Sequence, residues 1–522
     1  MASLLRSDAS SHSAGYWLRL VAIGLLAGFA VIVLTPAIAD AGRKFIALGL
    51  IGIVILITAI ASRRGRDVFL VVWIISLTYN RQFWSFAPIV GDHGAFGPYW
   101  MISDLVLLAL LARWMYESVI LKLDQQVHSV PVMRWYLPFV IAAGLSIAGA
   151  PEPAWALGDF SRLLKLGLVL LYFRYQIGPR QWWVVVAALG AAAVIQSVFG
   201  VLEVVTGRTG VLGILGIGID VRQILGVTEL FGGWTRATGT VAHPPYLAAF
   251  LLLTVPVFTS LGLTQPWGLK KWLCLGVAAL GLVGIVCTLT RFPIVVAMLQ
   301  VMLLIIILVA TRMLSITRVI ALGAVAGLIL SIIGMYGAEF IYERMTGDFT
   351  RSVDARFEGY KVAGRMLLDH PVFGVGLNNY GAYMPEYDPG ELWSIKRKWH
   401  DISLNLTHMR LLAGPLNGYL YVATVTGLVG LAAFLWFALG GIVLGLRAIR
   451  ANARDYNSET ESFAYSPKRA ACVGMLVGLV GLYIAQITSY SIWIDTVFSV
   501  WVILVALLGC AGYRSPSRDT EE

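Results

Sequence analysis

The 522-residue chain is poor in charge: Asp, Glu, Lys and Arg make up 13% of it, against 58% hydrophobic residues and a mean hydropathy of +0.78. That shortage excludes both a soluble globular domain and a disordered chain, since neither can present so much apolar surface to water. Cysteine is scarce as well. Cys274, Cys287, Cys472 and Cys510 lie in apolar runs without metal-ligand spacing, so they read as small core hydrophobes, and no disulfide framework or metal site is expected. Repeats at a fixed period and heptads are absent, which excludes solenoids and coiled coils. Gly374-Val375-Gly376 lacks a preceding Rossmann strand, which argues against a nucleotide loop and leaves a tight turn with positive φ.

Long apolar runs dominate what is present. They recur along almost the whole chain and are long enough to cross about 30 Å of hydrocarbon as helices. About fourteen begin near residues 17, 44, 66, 98, 132, 158, 181, 244, 271, 292, 318, 416, 470 and 494, with Val68 to Leu77 the weakest. The fold class expected is all-α: a polytopic transmembrane helix bundle of about 12–14 spans with one large extracytoplasmic loop containing short helices. The division expected is residues 1–335 as N-terminal spans, 336–415 as that loop, and 416–522 as C-terminal spans with a cytoplasmic tail. Ala37-Ile38-Ala39 superficially matches a signal-peptidase site, but the apolar run from Leu20 to Pro36 is long for a signal peptide and reads as a retained helix.

The net charge of +10 has a topological reading. Arg63-Arg64-Arg66, Arg174 to Arg180, Lys270-Lys271, Arg312 with Arg318, and Arg447 through Arg469 fall on one side if the helices alternate, which makes that side, and both termini, cytoplasmic. The excess then meets anionic lipid rather than nucleic acid, and the bilayer is the expected partner.

Charge inside or beside apolar spans is the next signal. Asp159, Arg162 and Lys165 share one face of a span; they form either a structural pair with Lys165 snorkelling or an anion-binding wall. Arg236 and Arg291 also fall toward the outer side. Guanidinium groups there suit phosphate oxygens, because arginine offers a planar fork of donors and stays charged at physiological pH. The loop adds Arg356, Asp369-His370-Pro371, Lys396-Arg397-Lys398, His400 and His408. Pro371 disfavours helical geometry at His370, so this histidine is expected to end a loop helix. Tyr380, Tyr383, Tyr387, Trp393 and Trp399 could stack on sugars or seat the loop at the interface, the latter favoured for Trp393 and Trp399.

Four pieces carry a resemblance: Arg236 to Ala248 (RATGTVAHPPYLA), Leu289-Thr290-Arg291, Arg356 followed by Met366 to Tyr380 (MLLDHPVFGVGLNNY), and Asn417-Gly418-Tyr419-Leu420 leading to Thr426 to Gly430 (TGLVG). With these pieces the chain resembles the O-antigen ligase and O-antigen polymerase superfamily, most strongly from about residue 185 to 440. The resemblance implies a metal-independent, cofactor-free glycosyltransferase of the bacterial plasma (inner) membrane. Such an enzyme moves a glycan from undecaprenyl diphosphate to a sugar hydroxyl, with a growing glycan or lipid A-core as acceptor. It implies diphosphate binding by Arg236 and Arg356, with Arg291 a weaker match, and Arg162 and Lys165 join them as cationic candidates. The ligases usually carry a histidine directly before the Asn-x-Tyr-Leu element, where this chain has Leu416; His408 or His400 is therefore the candidate base. That departure favours a polymerase over a ligase. A transporter of the lipid-linked glycan is the reading from a different class; its signatures, two comparable halves with broken helices, are not visible in the sequence.

Overall fold

The computed structural model of the chain describes residues 65–79, 82–84, 99–120, 127–208, 235–241, 243–317, 320, 349–388, 415–453 and 466–513. The spans expected near 17 and 44, the Ala37-Ile38-Ala39 motif, most of the span expected near 318, Lys396-Arg397-Lys398, Trp393, Trp399, His400 and His408 lie outside these residues.

Two compact units are present. The first holds α1 (Gly65–Ser76) and α2 (Ile102–Met115), which continues as a π-helical turn over Tyr116–Ile120. Within it the buried Glu117 accepts from Arg66 Nη2 at 2.5 Å and Arg113 Nε at 3.0 Å, so the acid is matched by two cations. The second unit contains the remaining described elements: strands β1 (Gln82–Trp84) and β2 (Tyr99–Met101), and helices α3 (Met133–Ser146), α4 (Pro153–Gln176), α5 (Pro179–Thr206), α6 (Pro244–Thr264), α7 (Leu269–Cys287), α8 (Arg291–Ala310), α9 (Phe349–Asp369), α10 (Tyr380–Tyr387), α11 (Gly418–Ala451), α12 (Pro467–Ala485) and α13 (Asp495–Ala511). The protein is an all-α polytopic bundle, its only described strands being the short antiparallel pair β1–β2, which joins Phe83 to Trp100. Six described helices, α5 to α8, α11 and α12, are long and apolar enough to cross a membrane.

Helix α6 is the centre of the second unit. Its residues are apolar around the whole circumference, as a helix buried on all sides requires, and α5, α7, α8, α12 and α13 all pack on it. Peripheral helices turn Val283, Val286, Met298, Met302 and Ile306 outward instead. Because lipid is as apolar as leucine, close packing rather than apolar burial must hold such helices together. Gly474 and Gly478 of α12 supply the closeness: a Cβ at Gly478 would lie 2.7 Å from Leu253 O of α6.

One polar group adds glue at the same seam. Pro256 has no N–H to give the Leu252 carbonyl one turn earlier, and Gln300 Nε2 of α8 donates to that carbonyl at 2.9 Å and to Val477 O of α12 at 3.2 Å. Replacement of Gln300 by Leu is expected to lower stability by about 1 kcal/mol, read as thermal unfolding in detergent, without altering ligand binding.

Helix α11 is broken, a feature the sequence reading did not anticipate. Gly427 has φ 70° and ψ −177° inside it, about 14 Å of helical rise from Gly418. The break frees backbone groups at a depth where water cannot satisfy them. The turn after α9 takes them up: Val375 N donates to Thr424 O at 2.9 Å, Gly376 N to Val425 O at 3.0 Å, and Leu428 N to Pro371 O at 2.8 Å. Gly374 and Gly376 have φ of 70° and 92°, as the tight-turn reading requires, and a Cβ at Gly374 would sit 2.5 Å from Thr424 O. Asn379 then ties the same element to the α3–α4 connection, accepting from Glu152 N at 2.9 Å and donating to Leu377 O at 2.7 Å.

Candidate active site

One end of the second unit gathers the lead-ins of α6, α8, α11 and α13 with the ends of α5, α7 and α12. Ala237 N bonds Cys287 O at 2.9 Å, and Gly418 N bonds Gln486 O at 2.8 Å. Basic residues collect at the opposite end: Arg174 O accepts from His128 N at 2.7 Å, and Lys468 lies 5.9 Å from the Trp182 ring.

The Thr-Gly-Thr of the Arg236 segment explains its own composition. Thr238 N and Gly239 N donate to Glu203 Oε2 at 2.5 and 2.8 Å, and Thr238 Oγ1 donates to Glu203 Oε1 at 2.9 Å. Gln196 Oε1 accepts from Thr240 N at 2.9 Å. Gly239 has φ 54°, and a Cβ there would collide with the Gln196 side chain, so glycine is required. Held this way, the segment lays Arg236 across the α7–α8 junction, where Nε donates to Thr288 O at 3.1 Å and Nη2 to Thr290 Oγ1 at 3.0 Å.

Those contacts bring Arg236 beside Arg291, because Thr290 directly precedes the helix that Arg291 opens. Leu289 turns the chain there with φ 49°. Arg356 on α9 completes the set. Its pKa is pushed down by burial and by the charge of Arg291, and only the Tyr360 hydroxyl opposes this. Arg356 Nε is buried without a hydrogen-bond partner, and among the described residues no carboxylate pairs with it. Two cations held close enough to repel, one of them with no carboxylate partner among the described residues, form a site for an anion. The N-termini of α6 and α8 face the same end and add positive dipole.

Tyr360, one helical turn from Arg356, donates to the carbonyls of Leu416 and Ile487 at 3.4 Å each. The position where the ligases usually carry histidine is therefore brought next to the Arg356 face, with Leu416 presenting its carbonyl to Tyr360. His370 ends α9, donating its N–H to Met366 O at 2.9 Å, and its ring lies 5.2 Å from Tyr383.

Arg162 has a different setting. Its guanidinium lies 3.6 Å from Asp159 and 3.5 Å from Asp495, and its Cζ is 5.4 Å from the Trp493 ring, whose Nε1 donates to Asp159 at 2.8 Å. Two carboxylates neutralise it, which favours the structural-pair reading of this face. Lys165, one turn further along α4, is half-buried. Trp493 connects this triad to Tyr421, which stacks on Tyr490 at 5.6 Å; Tyr490 in turn hydrogen-bonds Tyr246. Sequence reasoning missed Glu203, Gln196, Trp493 and Asp495. For Asp495 the signal that could have found it is its place at the head of an apolar run.

Bilayer-length helices around a cationic cluster define a multi-pass membrane protein. Residues 276–435, which contain Arg291, Arg356, the Gly374–Gly376 turn and the α11 break, match the O-antigen ligase family. The match supports a membrane enzyme of the O-antigen ligase/polymerase type. No curated protein matches the sequence.

Proposed function

We propose that the protein is a glycosyltransferase of the bacterial inner membrane that transfers a glycan from undecaprenyl diphosphate to a sugar hydroxyl on the outer face, with polymerisation of lipid-linked repeat units as its reaction. The observation that carries this reading is the convergence of Arg236, Arg291 and Arg356 on one end of the bundle, with no carboxylate partner for Arg356 among the described residues. The acceptor oxygen attacks the anomeric carbon, the bond from that carbon to the diphosphate oxygen breaks, and undecaprenyl diphosphate departs with the bonding pair. The three arginines compensate the charge that develops on it, in the place a metal ion would otherwise take. Residues 336–415 form the extracytoplasmic loop that carries Arg356, and the basic opposite end and both termini are cytoplasmic.

The acceptor proton goes to a loop histidine, His408 or His400, in place of the residue that Leu416 replaces. One of the two single Ala variants should lose transfer at neutral pH while the other retains it; full activity in both would remove them from the mechanism. Ligation to lipid A-core is the second reading, and the family match fits either reaction. Reconstitution in liposomes with an undecaprenyl diphosphate-linked repeat unit as sole substrate separates the two. A ladder of longer lipid-linked glycans establishes a polymerase, and transfer only after lipid A-core is added establishes a ligase. Movement of the lipid across the bilayer without either product would establish a transporter, the class to which the broken α11 lends some support.

A further inference from the structure

A carboxylate in an apolar, membrane-embedded helix is expensive and marks a specific need. Glu203 is such a group. It lies in the last turn of α5 within Val201-Leu202-Glu203-Val204-Val205, is fully buried, and receives the three hydrogen bonds from Thr238 and Gly239. Both backbone donors belong to the segment immediately after Arg236, whose neighbour Ala237 is fastened to the end of α7. The segment is thus held from α5 on one side and from α7 on the other, and the Arg236 guanidinium lies along Thr288 to Thr290.

We propose that Glu203 is a positioning residue for donor binding: it clamps the Thr238-Gly239 backbone so that Arg236 meets the diphosphate of a lipid-linked glycan. The inference rests on the reading of Arg236 as a diphosphate ligand. The role needs an acceptor at Glu203 rather than a charge. A glutamine can take both N–H groups on its carbonyl oxygen and donate its amide to Thr238 Oγ1, whereas an alanine leaves two buried N–H groups unmatched.

The test is binding of undecaprenyl diphosphate to the full-length protein in nanodiscs. Glu203→Ala should weaken binding by about tenfold or more, and Glu203→Gln should stay within about threefold of the parent. The discriminating variant is Glu203→Ala combined with Arg236→Ala, which should bind no more weakly than Arg236→Ala alone, because the clamp acts only through that arginine. Parental binding by Glu203→Ala, or a loss that adds in full to that of Arg236→Ala, would overturn the positioning role. Parental binding by Arg236→Ala would instead sink the diphosphate reading and the clamp with it. Should Glu203→Ala fail to fold, Thr238→Val removes one of the three bonds and is expected to weaken binding in the parent but not in the Arg236→Ala background; equal weakening in both would count against the proposal.

Discussion

Replacing Arg356 by alanine should reduce glycan transfer by on the order of 10²–10³-fold while the protein remains folded in the membrane. The effect is large because Arg356 sits where a leaving diphosphate would find a guanidinium that has no carboxylate partner among the described residues. Folding is spared for the same reason: burial and the Arg291 charge both disfavour the charged guanidinium in the free protein. Removing it therefore takes away a charge that burial disfavours. Arg356→Lys should fall between the two, since an ammonium restores charge without the planar fork. Release of undecaprenyl diphosphate per unit time is the readout, and turnover within about threefold of the parent for the alanine variant would remove Arg356 from the site.

The second large effect is expected at Gly427. Its φ of 70° is unfavourable for any side chain, and a Cβ there would fall on the Val372 carbonyl, with Phe373 N only 2.5 Å away. Valine adds β-branching to that strain, at about 1–3 kcal/mol for the backbone alone. The consequence is specific, because Gly427 is where the Pro371–Gly376 turn enters α11 and thereby fixes α9 and Arg356. Gly427→Val should insert in the membrane but lose transfer by on the order of 10²-fold, as misplacement of a positioning group does. Limited proteolysis should also cut within residues 336–415 far faster than in the parent. Gly276→Ala, where a Cβ meets nothing within 4 Å, is the control and should leave both readouts unchanged.

These two sites show what the sequence made legible. The spans were readable because the bilayer demands long apolar helices, and the six described helices of bilayer length, α5 to α8, α11 and α12, begin close to the expected positions. The positive φ of Gly374 and Gly376 followed from their residue type. The α11 break was not readable. Thr426-Gly427-Leu428-Val429-Gly430 has the composition of an ordinary membrane helix, and a glycine within one signals close packing as readily as a break. Its partner lies some fifty residues earlier, in a turn whose backbone completes the interrupted ladder. Glu203 escaped for a similar reason, since its need is set by backbone donors brought from another part of the chain. For Arg162 the sequence supplied Asp159 but not Asp495, and the second carboxylate is what neutralises it.

The central claim is that Arg236, Arg291 and Arg356 together hold a diphosphate. The most direct measurement compares the affinity of the nanodisc-embedded protein for undecaprenyl diphosphate and undecaprenyl monophosphate, in the parent and in the Arg236→Ala/Arg291→Ala/Arg356→Ala variant. The parent is expected to prefer the diphosphate by about tenfold or more, given two further oxygens for the guanidinium forks, and the triple variant to lose that preference. A preference that survives in the triple variant, or is missing from the parent, would contradict the account.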